Sequence, residues 1–310
     1  MTNTNLFEPR FQDAEKAREY LEALHWPNGP ICPHCKSDNA TRLEGDKHRA
    51  GLVQCNECRQ QFTVTVGTVF ERSKVPLNKW LLATHLLCAS KKGMSAHQLH
   101  RMLGVTYKTA WFMAHRIREA MVGDDNGPMG GEGSTIEADE TYWGKDKNTP
   151  KSRMAIRNMN RIVSLVDRAT GRSTSVVFNG TFNADTLGSY LFTRVDRKSR
   201  LITDDNRAYR RPGLDFAAHE WVNHSADEYV RGDVTTNTIE GFFGIFKRGM
   251  RGVYQHCGQQ HLHRYLAEFD FRYSNRSGRG VEDRERADIG LMGITGKRLT
   301  YRRIGSFAAA

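Results

Sequence analysis

The chain of 310 residues has no apolar run approaching the length needed to span a bilayer. Its N-terminus, Met-Thr-Asn-Thr-Asn, is polar and lacks the basic and apolar segments of a secretory signal. These absences lead to the expectation of a cytoplasmic protein with no membrane partner. Cysteine is scarce, six residues in all, and four of them fall into two Cys-x-x-Cys pairs. In a reducing compartment that usage argues against a disulfide framework and for a metal. No His-Glu-x-x-His spacing occurs among the twelve histidines, so the signature of a histidine-bound zinc hydrolase is missing. Acidic residues are in deficit, 35 Asp and Glu against 46 Lys and Arg, giving a formal charge of +11.

That positive charge is unevenly spread. Glu71 to Met121 carries nine Lys and Arg against two acidic residues, and Gly244 to the end carries thirteen against six. Between them, Val122 to Asp146 holds seven acidic residues and one lysine. Basic lobes around an acidic segment suit a polyanion held over a metal site. The length allows two or three domains.

Residues 7–26 show helical periodicity, with Phe11, Ala14, Ala17, Leu21 and Leu24 on one face. Cys32-Pro-His-Cys35 and Cys55-Asn-Glu-Cys58 follow, separated by nineteen residues and accompanied by short strand-like runs, among them Gln61 to Val66. Two thiolate knuckles at this spacing predict a tetrahedral Zn2+ site in a zinc ribbon over 27–70, ligated by Cys32, Cys35, Cys55 and Cys58. A redox dithiol is the alternative, disfavoured by the matched pairs. Four thiolates close the shell, which leaves His34 and His48 exposed.

Residues 71–122 read as a helix-turn-helix. A helix begins at Asn78, a second follows the N-cap Ser95, Gly104 and Val105 supply the turn, and Tyr107 opens the third. Leu99, Leu103, Val105, Ala110 and Ile117 would form its core, and Cys88 would be buried. The start of the third helix, Thr106, Tyr107, Lys108 and Thr109, would face the major groove, with Arg116 as a further DNA-binding residue. A plain helical hairpin that packs two domains together is the alternative.

The Gly- and Asp-rich segment 123–133 reads as a linker. From Ser134 the pattern turns to mixed strands and helices. Strands are expected at Thr135–Asp139, Asn160–Val166, Ser173–Phe178, Arg200–Asp204 and Ala217–Val222. Helices are expected from Asn183 or Asp185 to Val195, over Thr236–Met250 and over Gly258–Asn275. This order fits a ribonuclease-H-like sheet over 134–276. The chain is thus expected to be a multidomain α+β protein: an N-terminal helix (1–26), a zinc ribbon, a helix-turn-helix, a linker, the α/β catalytic domain, and a basic, Arg- and Gly-rich tail (277–310) with little order.

Three carboxylates carry the chemistry. Asp139 and Asp204 end apolar strands, and Glu240 lies on a helix with Asn237 and Lys247 along the same face. Ile239, Phe242, Phe243 and Phe246 take the opposite face. Oxygen ligands from strand ends and a helix are what a pair of Mg2+ or Mn2+ ions about 4 Å apart needs for phosphoryl transfer. Lys247, with Arg248 beside it, would hold a phosphate of the bound DNA. Taken alone, Glu240 reads better as an exposed carboxylate paired with Lys247; the strand-end contexts of Asp139 and Asp204 turn the reading towards a metal ligand. Glu137, Glu140 and Asp205 are second choices beside the selected aspartates, and His224 is a possible DNA contact.

Together these segments resemble bacterial insertion-sequence transposases of the DDE superfamily, in the ISXO-type family that joins a zinc ribbon to a ribonuclease-H-like domain. The resemblance spans about residues 20–276 and rests on both Cys pairs, Gln61-Phe-Thr-Val-Thr-Val, Glu137-Ala-Asp139-Glu-Thr-Tyr-Trp-Gly, Val222-Asn-His-Ser, Asn237-Thr-Ile-Glu240-Gly-Phe-Phe-Gly-Ile-Phe-Lys247 and His261-Leu-His-Arg-Tyr-Leu-Ala-Glu-Phe. It implies divalent-metal cleavage and strand transfer at inverted-repeat ends without a covalent enzyme–DNA intermediate. It also implies double-stranded DNA as partner, both terminal repeats and target, with the enzyme acting as a homo-oligomer on DNA in the bacterial nucleoid. Family members differ in whether Asn or Glu is the third metal residue, and the resemblance leaves Asn237 and Glu240 both open. The spacing and Lys247 favour Glu240. Competing readings are a DNA-binding regulator with an inactive nuclease-like domain, and a nuclease that only hydrolyses.

Overall fold

A computed structural model describes residues 5–123, 127–146, 158–178, 180–223 and 226–300. In chain order the elements are α1 (Pro9–Gln12), α2 (Ala14–His25), β1 (Ala40–Arg42), β2 (Val53–Cys55), β3 (Gln61–Phe62), α3 (Leu77–Ala89), α4 (Ala96–Leu103) and α5 (Tyr107–Ala120). There follow β4 (Thr135–Lys145), β5 (Met159–Asp167), β6 (Ser173–Phe178), α6 (Ala184–Arg194), β7 (Arg200–Thr203), α7 (Arg210–Gly213) and β8 (Ala218–Trp221). The last are β9 (Val230–Arg231), β10 (Val234–Thr235), α8 (Asn237–Gly249), α9 (Leu262–Ser274) and α10 (Asp283–Met292). They form two compact units. One comprises the chain up to residue 90, residues 94–122 and the segment from 282 onward; the other comprises 91–93 and 123–281.

In the first unit, the helix expected over 7–26 divides at Asp13. Its backbone is extended (φ −120°, ψ 133°), and its side chain caps α2 by accepting the Lys16 N–H at 2.8 Å. Phe11, Ala17 and Leu21 are buried, whereas Ala14 is exposed. Strands β1, β2 and β3 form a small antiparallel sheet in that order. The expected strand from Gln61 to Val66 stops at Phe62, whose ring meets Trp26 edge-on at 5.8 Å. Ser95 caps α4, Gly104 in the left-handed region (φ 60°) closes it, and Thr106 caps α5. Leu99, Leu103, Ala110, Ile117 and Cys88 are buried, and Val105 is half-buried.

The expectation of a tail with little order after Ser277 is corrected by α10. Ala287, Leu291 and Ile294 are buried at a helical spacing of four and then three residues, a stripe hidden among the arginines. Arg286 donates to the Cys88 carbonyl at 3.1 Å, Tyr20 O–H to Asp288 at 2.6 Å, and the Val69 N–H to the Ile294 carbonyl at 3.1 Å. The segment therefore closes the helical unit.

The second unit is built on a five-stranded sheet in the order β6-β5-β4-β7-β8. Strands β4, β5 and β6 pair antiparallel, while β7 is parallel to β4 and β8 is parallel to β7. Alternation along the strands separates two cores. Ile136, Ala138, Val163, Leu165 and Leu201 pack with Leu187 and Leu191 of α6. On the other face Ile162 and Val166 pack with Ile239, Phe242 and Phe246 of α8 and with Leu266 and Phe269 of α9. Strand β4 is longer than expected: beyond Asp139 it keeps pairing with β5 through Trp143↔Asn160. Aromatic and β-branched residues (Thr141, Tyr142, Trp143) suit that continuation.

Leu291 is 3% exposed. Leu291→Ala should destabilise the protein by roughly 2–5 kcal/mol, read as a lower urea midpoint. A silent substitution would show that α10 is not part of the core.

Candidate functional site

The carboxylates meet where β4 outruns β7. Thr135, Ile136 and Glu137 are in parallel register with Arg200, Leu201 and Ile202. Continued by two residues, that register sets Asp139 level with Asp204, just past the end of β7. Both lie on the α8 face of the sheet by alternation. Oxygens of Asp139, Glu140 and Asp204 all lie within 4.8 Å of one another.

Glu140 follows Asp139 on the strand and should point to the opposite face. On the β7 side, however, no strand runs beside it beyond Thr203. Its carboxylate is drawn inward by hydrogen bonds donated by Asn206 Nδ2 and, at 2.8 Å, by the hydroxyl of the buried Tyr209. The Glu140 N–H in turn donates to Asp139 Oδ1 at 2.6 Å. Burial, with the charges of Asp204, Glu140 and Glu240 added, pushes Asp139 up to about 8. Burial and Asp204 push Glu140 up to about 7. Negative charge that raises its own pKa values in this way is charge a hard cation would neutralise.

The other expected residues fall into distinct places. Glu137 is fully buried and is not in the cluster: it pairs with Arg168 at 2.6 Å and accepts the Ile239 N–H at 2.9 Å. Arg168 also donates to the carbonyls of Asp233 (2.8 Å) and Thr235 (2.6 Å), so the pair ties the start of α8 to β4. Glu240 lies in the first turn of α8. It is exposed, accepts the Thr236 hydroxyl at 2.7 Å, and lies outside the compact set of three ligand atoms. Asn237 is exposed at the head of the same helix, and its N–H donates to Thr235 Oγ1 at 3.2 Å. In the last turn Lys247 is half-buried, flanking the apolar face one turn beyond Phe243, and Arg248 is exposed opposite the buried Ile239, Phe242, Phe243 and Phe246. Asp205 is half-exposed. His224 lies outside the described residues.

Sequence reasoning ranked Glu140 second and missed Asn206, Tyr209 and Arg168. The available signal was Asp204-Asp-Asn206, an Asx-type turn whose Asp204 accepts the Asn206 N–H at 3.1 Å. Nothing local marked Arg168, which reaches Glu137 only through the β4–β5 pairing.

In the ribbon, the four cysteine sulfurs lie within 4.8 Å of one another, with Cys32–Cys58 at 3.6 Å and Cys35–Cys55 at 3.5 Å, and all four are free thiols. These sulfurs fit one tetrahedral zinc. His34 and His48 are exposed.

At the head of α5, Thr106 accepts the Thr109 N–H at 3.2 Å, Tyr107 is exposed and stacks on His97 at 4.3 Å, and Lys108 is exposed. Arg116 is corrected as a DNA-facing residue. It is 6% exposed, donates to the Glu71 carbonyl at 2.7 Å and lies over the rings of Trp80 and Phe112. Nine residues separate it from Tyr107, roughly half a turn round the helix, so an outward Tyr107 places Arg116 inward.

Two outcomes follow. Cys55→Ser should lose the zinc and unfold residues 27–70, seen by metal analysis and limited proteolysis; full zinc retention would contradict the four-thiolate site. Because Asp139 is raised above its unfolded value, its contribution to the stability of the metal-free protein is fully present below about pH 4 and lost as pH rises through about 8. Mn2+ should therefore raise the melting temperature more at pH 8.5 than at pH 5, and Asp139→Asn should flatten that difference. Equal Mn2+ shifts at both pH values would rule out the cluster as the binding site.

Comparison with known proteins agrees with both centres. Residues 12–61 match the transposase zinc-ribbon domain and residues 130–274 the ISXO2-like transposase domain. A relative in Halobacterium salinarum, described as an uncharacterized protein in transposable element ISH50, is 28% identical over 84% of this chain and 91% of its own length. A chain of the simian T-cell lymphotropic virus intasome solved with the PP2A regulatory subunit B56 gamma aligns at 14% identity over 62% of this chain and 65% of that one. Its TM-score of 0.29 is too low to inform the fold. The thiolate cluster lies in one matched region and the carboxylate cluster in the other, so the chain joins a transposase zinc-ribbon domain to an ISXO2-like transposase domain.

Proposed function

We propose that the chain cleaves the ends of its insertion sequence and joins them to target DNA by divalent-metal phosphoryl transfer. The observation that carries this reading is the Asp139–Glu140–Asp204 cluster inside the matched transposase domain. Its three converging carboxylates fit a hard cation, and their raised pKa values fit the need for one. When bound, Mg2+ or Mn2+ would activate the attacking oxygen and stabilise the leaving 3′-oxygen.

The chain's own residues set the geometry. Asp139, within β4, and Asp204, just past the end of β7, would hold the ion. Glu140, braced by Tyr209 and Asn206, supports the cluster from the opposite face. Glu240, in the exposed first turn of α8, would be the third carboxylate to hold the ion, and Asn237 would orient the DNA strand beside it. Lys247 and Arg248 take backbone phosphates further along the helix. The sheet order, with the carboxylates gathered where β4 outruns the parallel β7, supports a ribonuclease-H-like catalytic domain. Helices α4 and α5 act as a helix-turn-helix that reads the element end through Thr106, Tyr107, Lys108 and Thr109, and the enzyme works as a homo-oligomer on DNA. No described helix is long and apolar enough to cross a membrane.

Cleavage of a labelled element end in Mn2+ tests this. Asp139→Asn and Asp204→Asn should each abolish cleavage and leave end binding intact. Glu140→Gln should lower the rate roughly 10- to 100-fold, the usual cost of losing a supporting group. Glu240→Gln should be as severe as Asp139→Asn, and Asn237→Ala milder. Full activity in Asp139→Asn would overturn the mechanism, and full activity in Glu240→Gln would pass the third position to Glu140 or Asn237. Wild-type protein that binds ends tightly yet never cleaves them would instead favour a DNA-binding regulator.

A further inference from the structure

The segment Lys91–Gly93 belongs to the second unit, although α3 before it and α4 after it belong to the first. Two glycines hold it there. A Cβ on Gly249, in the last turn of α8, would stand 2.7 Å from the Lys92 carbonyl oxygen and 2.5 Å from the Phe269 ring. A Cβ on Gly93, whose φ is +95°, would fall 1.8 Å from the Tyr254 hydroxyl. Neither position tolerates a side chain, so the backbone of Lys92 lies directly on the end of α8.

The result is a cavity of about 390 Å3 lined by Lys91, Lys92, Ile245 and Arg248. Its three cations are exposed, and among the described residues none is in an ion pair. Three unneutralised cations converging on one space repel each other, and an anion between them removes that cost. Lys91 and Lys92 entered the sequence reading only as part of a charge count. The cavity's position in the fold makes them a site.

We propose that Lys91, Lys92 and Arg248 form a phosphate-binding subsite for the DNA strand whose scissile bond lies at Asp139 and Asp204. This rests on the transposase reading. Arg248 is eight residues beyond Glu240 on α8, about 12 Å along the helix. That distance corresponds to roughly three to four phosphates of one duplex strand, at about 3.4 Å per charge. Between the two points the exposed surface of α8 is bare. A Cβ on Gly241 would meet nothing within 4 Å, and one on Gly244 would approach only the Arg248 guanidinium, at 3.6 Å. A sugar-phosphate backbone can therefore lie close to the helix between the carboxylates and the cations. Lysines bind here as point charges, so the subsite grips the backbone without reading sequence.

The test uses the full chain and a short fluorescent duplex carrying an end of the element that encodes it, with binding measured across a salt series. The Lys91→Ala/Lys92→Ala variant should weaken binding and lower the salt slope by about two, and Lys91→Arg/Lys92→Arg should restore both. Neutral methylphosphonate linkages placed one at a time should weaken wild-type binding at one or two positions a few nucleotides from the cleaved bond. The double alanine variant should no longer respond at those positions. A variant with the wild-type slope and the wild-type linkage profile would overturn the subsite while leaving the transposase reading in place. Wild-type protein that binds the duplex but does not cleave it would overturn that reading, with the slope and profile still deciding the subsite. Absence of salt-dependent binding by the wild type would overturn both.

Discussion

The candidate site depends on one buried ion pair. Glu137 is fully enclosed, and its two oxygens are divided between the Arg168 guanidinium and the Ile239 N–H of α8. Arg168 also donates to the carbonyls of Asp233 and Thr235, just ahead of that helix. A single clasp thus joins β4, the turn after β5, and the start of α8. Breaking one side of a buried pair costs about 3–5 kcal/mol in general, and less here because the Arg168 side chain keeps 23% of its surface in solvent. The greater consequence is geometric. Asp139 is two residues beyond Glu137 on the same strand face, and Glu240 is one residue beyond Ile239, so the clasp fixes the carboxylate-bearing helix against the carboxylate-bearing strand.

Around that clasp the electrostatics are opposed by design of position. Asp139, Glu140 and Asp204 crowd where β7 stops beside β4, and there burial makes their charge costly and a cation welcome. Positive charge gathers on the far end of α8, at Arg248 with Lys91 and Lys92. One helix thus presents acidic and amide groups at its first turn and guanidinium and ammonium groups at its last. Basic side chains near a helix C-terminus also complement its dipole. A phosphodiester chain that needs a metal at one linkage and cations at its flanking linkages matches that polarity.

Much of this was legible in the amino-acid order. The spacing of Cys32, Cys35, Cys55 and Cys58 dictates a four-sulfur cluster because thiolate knuckles are local structures. The caps Ser95 and Thr106, the turn at Gly104 and the apolar face Ile239, Phe242, Phe243 and Phe246 are likewise written within a few residues of where they act. The strand bearing Asp139 and the one leading to Asp204 were recognisable from apolar runs and turn residues for the same reason.

Other features arise only when distant segments meet. Neighbouring residues on a strand should face apart, yet Glu140 joins Asp139 because β7 ends beside it and Tyr209 and Asn206 pull it in. Arg116 looked like one more DNA-facing arginine until helix phase and the rings of Trp80 and Phe112 placed it inside. The basic tail hid a stripe of Ala287, Leu291 and Ile294 that acquires meaning only against Cys88 and Val69. Sequence by itself determined the thiol and carboxylate groups that could hold metal and the local elements that carry them, because spacing, capping and periodicity act over a few residues. Which carboxylates share a site, which arginines face solvent and where Lys91 and Lys92 come to rest were decided by tertiary structure, because strand register, helix phase and close glycine contacts act between residues far apart in the chain.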